Sequence, residues 1–265
     1  MKFRGVELVY WNPRRSLKVG PLALSVPLPR RVGNFGDLIT PRLVPWAYEA
    51  RRSSPSGVGS GRLLAVGSIL HFAKDGDVVW GSGINGKVPL SHIRARSLRV
   101  CAVRGPRTAD ALTGLGLTDV PSVYGDPALL FPSLAGISRS ISSTHEIVSI
   151  PNLNDHSDWS RMPGLISPRA DPLAVLERIA SSDFVVSSSL HGLVLADALG
   201  VPSGWMQSKS EHPFKYLDYF EGTGRFGLKP ARSISAAMDN PVPPLNWSPE
   251  PLLEAFPMDL WDDRS

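Results

Sequence analysis

Three short polar segments of the chain carry residue types that could do chemistry, and each stands where an apolar run or loop passes into a helix-like stretch. The segments are residues 33–37, 104–108 and 187–192. The start of a helix exposes unpaired backbone N–H groups together with the positive end of the helix dipole. Each of the three segments is therefore a candidate anion-binding site.

The third segment combines hydroxyl and imidazole side chains directly after an apolar run. Before Gly192 stand Ser187, Ser188, Ser189, Leu190 and His191. An imidazole can donate a proton to a substrate or bind a phosphate near neutral pH. We interpret His191 as a functional residue, with a structural histidine as the alternative, and we expect Gly192 to let a ligand approach the backbone closely.

Two arginines flank the predicted helix start in residues 104–108. A guanidinium group can bind a carboxylate or a phosphate through two hydrogen bonds. Arg104, at the predicted strand end, is therefore a candidate anion clamp. The alternative is that Arg104 and Arg107 are exposed residues bonded to neighbouring acids.

The first segment contains Asn34 and Asp37, ahead of a helix-like stretch. It is a candidate anion site for the same electrostatic reason as the other two. The alternative is a turn in which Asp37 caps the helix.

Composition and charge restrict the range of functions. A formal charge of +4 and a pI near 9.4 favour anionic partners. Lysines and arginines are scattered rather than clustered with aromatics, which argues against nucleic acid. Residues 81–83 (Gly-Ser-Gly) lack the spacing of a dinucleotide fingerprint. The histidines have no metal-ligand spacing, so we expect neither a metal nor another cofactor.

Charged residues near the start of the chain argue against a signal peptide. Lys2, Arg4 and Glu7 interrupt the first nine residues, and no later segment has the apolar length of a membrane span. The single Cys101 fits a reducing compartment. We expect a cytoplasmic protein.

Short apolar runs alternate with helix-like stretches along the chain. We predict strands within residues 6–11, 63–70, 77–80, 98–103, 146–150, 184–186 and 202–206, and helices that begin at Pro106 and Pro172. This alternation predicts an α/β protein with mostly parallel sheets, in which ligands collect at the carboxyl ends of strands.

A segment rich in proline, glycine and serine divides the chain near its middle. We interpret residues 131–144 as a linker, which predicts an N-terminal domain of residues 1–135 and a C-terminal domain of residues 136–265. Residues 252–261 are predicted to form a final helix that packs back on the first domain.

Four motifs in a fixed order, the fourth in two parts and followed by a final segment at residues 214–219, resemble the polysaccharide pyruvyltransferase family, and within it the short exopolysaccharide ketal pyruvate transferases. The resemblance covers about residues 30–220. The motifs are residues 34–37 (Asn-Phe-Gly-Asp), 104–108 (Arg-Gly-Pro-Arg-Thr), 125–130 (Gly-Asp-Pro-Ala-Leu-Leu), 189–192 (Ser-Leu-His-Gly), 196–202 (Ala-Asp-Ala-Leu-Gly-Val-Pro) and 214–219 (Phe-Lys-Tyr-Leu-Asp-Tyr).

The resemblance implies a fold of two Rossmann-like domains that face each other across a cleft, as in GT-B glycosyltransferases, with the acceptor mainly on the first domain and the donor mainly on the second. It implies donor binding by Arg104 and His191. Many members carry arginine where this chain has Ser189, so Arg107, Lys215 or the serine cluster would have to take over its anchoring role. The expected substrate-binding residues are Asn34, Arg104, Arg107, Ser187, Ser188, Ser189, Leu190 and Lys215.

The resemblance also implies a reaction in which phosphoenolpyruvate donates a pyruvyl group to a sugar diol and phosphate is released. His191 would protonate the methylene carbon or bind the phosphate. Asp37 or Asp126 would deprotonate the attacking hydroxyl, although Asp126 precedes Pro127 and could instead shape a turn.

The expected partners are phosphoenolpyruvate and a lipid-linked saccharide, with peripheral contact at the inner face of the membrane. Two other functions stay open on the sequence alone. The first is a GT-B glycosyltransferase that uses a nucleotide sugar, and the second is a noncatalytic carbohydrate-binding protein.

Overall fold

Two separate sheets of mainly parallel strands organise the chain. The computed structural model describes residues 1–19, 24–52, 57–140 and 146–262. The strands are β1 (Lys2–Phe3), β2 (Val6–Val9), β3 (Arg14–Val19), β4 (Leu24–Arg31), β5 (Arg62–Leu64), β6 (Val78–Trp80), β7 (Arg99–Ala102), β8 (Ile147–Ile150), β9 (Phe184–Ser187) and β10 (Ser203–Trp205). All seven predicted apolar runs contain a strand.

The first sheet has the order β1-β2-β5-β6-β7, and the second has the order β10-β9-β8. Only β1 runs antiparallel in these two sheets, and every other pairing is parallel. The residues of β6 and β10 are all buried, as expected for strands covered on both faces. The predicted α/β class is thus confirmed. The antiparallel pairing of β3 with β4 was not predicted.

The helices lie between these strands. They are α1 (Thr40–Arg51), α2 (Pro106–Gly114), α3 (Phe131–Ala135), α4 (Pro172–Ala180), α5 (Leu190–Ala198), α6 (Phe214–Gly222), α7 (Ile234–Asp239) and α8 (Glu250–Glu254). Two predicted helix starts are confirmed: α2 and α4 begin at prolines, and the Asp171 side chain accepts a hydrogen bond from the Leu173 N–H.

The beginning of the predicted linker is a packed helix. Phe131 and Pro132 in α3 are buried, and the Phe131 ring stacks on Trp46 with 5.4 Å between ring centroids. The helix ends at Gly136, which has φ 68°. The rest of the predicted linker includes residues 141–144, which lie outside the described residues. The boundary between residues 1–135 and 136–265 stays a prediction.

The C-terminal segment packs against the first sheet. The prediction of a single helix over residues 252–261 was wrong. The helix α8 ends before Pro257, and a 3₁₀ turn follows at Met258–Trp261. Proline lacks an N–H and disfavours helical geometry in the residue before it. The Trp261 Nε1 donates to the Phe3 carbonyl, and the Trp80 Nε1 donates to the Leu252 carbonyl.

A buried ion pair joins the two halves of the chain. Arg104 follows β7 and Asp218 lies in α6, and both side chains are wholly buried. The Arg104 Nε is 3.0 Å from the Asp218 Oδ2, and the Nη2 is 2.9 Å from the same oxygen. Asp218 also accepts hydrogen bonds from the backbone N–H and the hydroxyl of Thr108. A Cβ at Gly83 would lie 2.4 Å from the Arg104 Cζ, so only glycine fits there.

We expect Asp218→Ala to destabilise the protein by about 3–5 kcal/mol, because it leaves the Arg104 charge buried without its partner. Glu221→Ala is the matched control on the same helix. Glu221 pairs with the partly exposed Arg107, and such pairs contribute only about 0–1 kcal/mol. Urea unfolding measures both changes, and equal losses in the two variants would contradict this account of the buried pair.

Candidate functional site

A cleft of about 340 Å³ lies where the carboxyl ends of strands from both sheets meet. Its walls come from the segments that follow β2, β4, β5 and β6 on one side and β8, β9 and β10 on the other. The lining residues are Trp11, Asn34, Asp37, Ser68, Ile69, His71, Asn85, Lys87, Val88, Asn152, Leu153, Asn154, Ser189, Leu190, His191, Glu211 and Lys215. Ligands are expected at such strand ends in α/β proteins.

His191 lies in the first turn of α5 and lines the cleft with little exposure. Its Nε2 is 3.6 Å from the Asp126 Oδ2, and both atoms are buried without a hydrogen-bond partner. On another side, a Cβ at Gly36 would lie 2.1 Å from the His191 Nδ1. The motif of residues 34–37 therefore needs glycine at position 36, so that the imidazole of His191 can fit beside the loop.

Asp126 is wholly buried and does not line the cleft. Its Oδ1 accepts a hydrogen bond from the Ala128 N–H at 3.0 Å and caps the 3₁₀ turn Pro127–Leu130. The turn-shaping alternative is therefore confirmed for this oxygen, while the other oxygen is turned toward His191. The carboxylate does not reach the cleft except through the imidazole, and the role of direct base toward a substrate hydroxyl stays a prediction for Asp126.

Asp37, unlike Asp126, lines the cleft. The Asn34 Nδ2 donates to its Oδ2 at 2.6 Å. Burial raises the pKa of Asp37 to about 6, although the charges of His191 and Lys215 and the bond from Asn34 oppose this rise. The helix-cap alternative was wrong, because α1 begins three residues later and has no side-chain cap.

A cluster of two lysines and one glutamate forms another part of the wall. The Lys87 Nζ donates to the Glu211 Oε1 at 2.6 Å, and the Lys215 Nζ donates to the Oε2 at 2.7 Å. Burial lowers the pKa of Lys215, although the Glu211 carboxylate opposes this shift. Burial would raise the pKa of Glu211, but the two ammonium groups outweigh it and lower that pKa. One carboxylate facing two ammonium groups leaves positive charge for an anion.

Neither arginine of residues 104–108 lines the cleft. Arg104 lies behind the wall, where its Nη1 donates to the Ser68 hydroxyl and its Nη2 donates to the Ile84 carbonyl. Arg107 binds Glu221 through two hydrogen bonds of 2.7 Å. Acids on α6 thus hold both guanidinium groups, and direct contact of either arginine with an anion stays a prediction.

The serine-rich segment divides between the cleft and the interior. Ser189 and Leu190 line the cleft, whereas Ser187 and Ser188 do not. The Ser187 hydroxyl bonds the Ile150 carbonyl, and the Ser188 hydroxyl bonds the Asp155 carboxylate.

Other side chains of the protein fill the space beside Gly192. A Cβ at Gly192 would lie 2.4 Å from the Ser187 Oγ and 3.1 Å from an Ile150 side-chain carbon. Gly192 is therefore required for internal packing, and the expectation that it admits a ligand was wrong.

Several lining residues were missed by sequence reasoning, among them His71, Lys87 and Glu211. All three follow predicted strands, so the rule that ligands collect at strand ends, applied to every strand, would have indicated their segments. Nothing in residue spacing shows that Lys87 pairs with Glu211, because 124 residues separate them.

The described ranges contain no group of three histidine, cysteine, aspartate or glutamate residues that could hold a metal ion. Among these same residues, no helix has both the length and the apolar character needed to cross a bilayer.

Comparison with known proteins identifies relatives. The family described as Polysaccharide pyruvyl transferase matches residues 53–210, more than half of the chain. The succinoglycan biosynthesis protein ExoV of Rhizobium meliloti (strain 1021) is 32% identical over 211 residues, which cover 72% of this chain and 62% of ExoV. The uncharacterized protein L143 of Acanthamoeba polyphaga mimivirus is 28% identical over 174 residues, 60% of this chain and 59% of L143.

The matched region spans less than two thirds of the length of each of these two curated relatives. No solved structure matches the chain.

We expect Asp37→Asn to stabilise the protein, and to do so increasingly as the pH rises. With a folded pKa near 6, above the unfolded value of 3.8, the native state holds its proton longer than the unfolded state does, so ionisation destabilises the fold as pH passes from about 4 to above 6. The gain in unfolding free energy should approach roughly 3 kcal/mol at pH 7.5 and be small at pH 4.

Urea unfolding between pH 4 and pH 7.5 measures this gain. Asp110→Asn, at an exposed position, is the control and should show no comparable increase. A constant difference at every pH would contradict the assignment of a buried, costly carboxylate to Asp37.

Proposed function

Since the chain belongs to the polysaccharide pyruvyl transferase family, we propose that it moves a pyruvyl group from phosphoenolpyruvate to two hydroxyls of a saccharide, forming a cyclic ketal and releasing phosphate. The observation that carries the proposal is the meeting of His191, Asp37 and the Lys87–Glu211–Lys215 cluster in one cleft. An acid, a base and an anion subsite are the groups this reaction requires.

The donor has two anionic groups, a phosphate and a carboxylate, and needs positive charge beside the catalytic acid. Lys87 and Lys215 supply that charge, and the shared carboxylate of Glu211 holds both ammonium groups in place. Ser189 stands where many members of the family have arginine, and it lines the same cleft. We therefore assign the role of the missing arginine to the two lysines, of which only Lys215 was predicted from the sequence.

His191 is the proton donor in this proposal, and Asp126 positions its ring. The two unpartnered atoms, 3.6 Å apart, form a hydrogen bond if the ring moves by a few tenths of an ångström. Asp126 would thereby fix the orientation of the imidazole, as a buried acid does in other catalytic groups that contain a histidine. Asp126 is a positioning residue and makes no contact with substrate.

The reaction begins when protonated His191 gives its proton to the methylene carbon, which leaves positive charge on the neighbouring carbon, C2. The oxygen of one sugar hydroxyl bonds to C2, and Asp37 takes the proton of that hydroxyl. The bond between C2 and the phosphate oxygen then breaks, and the phosphate leaves with the electron pair.

The second hydroxyl closes the ketal at C2 and returns a proton to His191. The proton on Asp37 leaves with the phosphate, which departs as hydrogen phosphate. Both hydroxyl protons and all charges are then accounted for. A pKa near 6 keeps Asp37 ionised at neutral pH and close enough in basicity to accept this proton.

The finer architecture belongs to the same proposal. We propose that residues 1–135 and 136–265 are two Rossmann-like domains of the GT-B kind, with the acceptor mainly on the first and the donor mainly on the second. Each sheet lies within one of these segments, and the strand ends of both sheets border the cleft. The acceptor would be a lipid-linked precursor at the inner face of the membrane, with the enzyme in the cytoplasm.

Incubation of the protein with phosphoenolpyruvate and methyl β-galactoside tests the proposed reaction. We expect release of inorganic phosphate, together with a product whose mass and NMR spectrum show a pyruvate ketal. Methyl glucoside and methyl mannoside are tested in parallel to identify the sugar. Binding of all components without phosphate release or ketal would contradict the proposed function.

Variants separate the proposed roles by their kinetics. His191→Asn should lower kcat by about 10²–10⁴-fold, because it cannot donate the proton. Asp126→Asn should lower kcat by roughly tenfold with an unchanged KM, as expected for a residue that orients the acid. Lys87→Met should instead raise the KM for phosphoenolpyruvate by about tenfold or more.

His156→Asn, outside the cleft, is the control and should match the unmodified protein. A normal kcat in His191→Asn would remove the histidine from the chemistry, and an unchanged KM in Lys87→Met would place the donor elsewhere in the cleft.

A further inference from the structure

A second cavity, of about 590 Å³, adjoins the cleft. It lies between the segment that follows β5, residues 71–75, and the later segment 92–95. His71 lines both cavities, so they meet at this side chain. The proposed reaction uses no residue of this second cavity.

The charged side chains of this cavity are mostly uncompensated. Lys74, His92 and Arg94 are exposed. The charge of Lys74 acts on the Asp77 carboxylate, but that carboxylate is already paired with Arg62. Arg94 has no ion-pair partner among the described residues. Asp75 is the acid in the wall. Its Oδ1 accepts hydrogen bonds from the backbone N–H groups of Arg96 and Ser97, at 2.6 and 2.9 Å. These bonds hold the carboxylate toward the backbone, and the cations stay available to an anion.

The cavity also has an aromatic wall. The Phe72 side chain is 38% exposed, and its ring lies 4.0 Å from the His71 ring between centroids. Burial and the nearby His92 lower the pKa of His71. The junction between the two cavities is therefore a neutral aromatic surface, over which a sugar ring can extend from the cleft, whereas the charge lies farther along at Lys74 and Arg94.

We infer that the second cavity binds a phosphate ester group of the acceptor saccharide, through Lys74 and Arg94, while the sugar that receives the pyruvyl group lies in the cleft. This inference rests on the proposed function. The donor anions already have the lysine cluster of the cleft, so a second cationic cavity serves another anion of the reaction. Guanidinium and ammonium groups both bind phosphate oxygens through charge-assisted hydrogen bonds.

The test compares a neutral acceptor, methyl β-galactoside, with galactose 1-phosphate and with galactosyl diphosphate bearing a short isoprenoid. In the Lys74→Ala/Arg94→Ala double variant, the KM for both phosphorylated acceptors should rise by about tenfold or more. The KM for methyl β-galactoside and for phosphoenolpyruvate should not change. Lys229→Ala/Arg232→Ala removes two exposed cations outside both cavities and should leave every KM unchanged.

Equal KM values in the double variant and the unmodified protein, for all three acceptors, would overturn the inference. A rise confined to the isoprenoid compound would also overturn it, because the phosphate ester of galactose 1-phosphate would then not be recognised by the cavity. If no acceptor is converted, the proposed function has failed. Calorimetry with galactose 1-phosphate still tests the cavity in that case, since phosphate-dependent binding should be present in the unmodified protein and lost in the double variant.

Discussion

The buried pair between Arg104 and Asp218 is the interaction on which the geometry of the cleft depends. Arg104 also bonds Ser68 and the Ile84 carbonyl, in the segments that follow β5 and β6. Asp218 lies on α6, the helix that carries Lys215. The guanidinium group of Arg104 thus connects two segments that follow strands of the first sheet to α6, which follows the second sheet. Because both partners are wholly buried, separating them would expose each charge to an apolar interior, at a cost of several kcal/mol.

The groups of the cleft are satisfied less completely than this pair. Asp37 is a buried carboxylate with a raised pKa, and facing atoms of His191 and Asp126 lack hydrogen-bond partners. Unsatisfied buried polar atoms cost free energy, so a folded protein keeps few of them without a functional reason. The protein thus holds a compensated buried charge pair next to the cleft and, within the cleft, a carboxylate whose ionisation costs free energy.

In the proposed reaction, the function of the arginine at the position of Ser189 moves to other residues of the cleft. A serine hydroxyl cannot replace the charge of the arginine that many family members carry there. The nearby wall holds Lys87 and Lys215 around Glu211, and these three residues come from segments far apart in the chain. The positive charge of an anion site depends on which ammonium groups reach it in the folded protein. It does not depend on which strand precedes each lysine in the chain.

The sequence by itself determined the positions of β2 and β5–β10, the α/β class, the starts of α2 and α4 and the family motifs, because these depend on local apolar patterns and on backbone preferences of proline and glycine. It also identified Asn34, Asp37, Ser189, Leu190, His191 and Lys215, all of which line the cleft. Each stands just after a strand or in the first turn of a helix, where the neighbouring residues already place it at a strand end.

Only the tertiary structure decided which charged residues face the cleft and which are held elsewhere. Arg104 and Arg107 have the motif positions expected of anion ligands, yet acids on α6, each 114 residues away, bind both guanidinium groups. Asp126 points its free oxygen at His191 from behind the cleft, and Lys87 enters the cleft through its bond to Glu211. Spacing along the chain specifies local conformation, whereas the partner of a charge is set by residues that become neighbours only after folding.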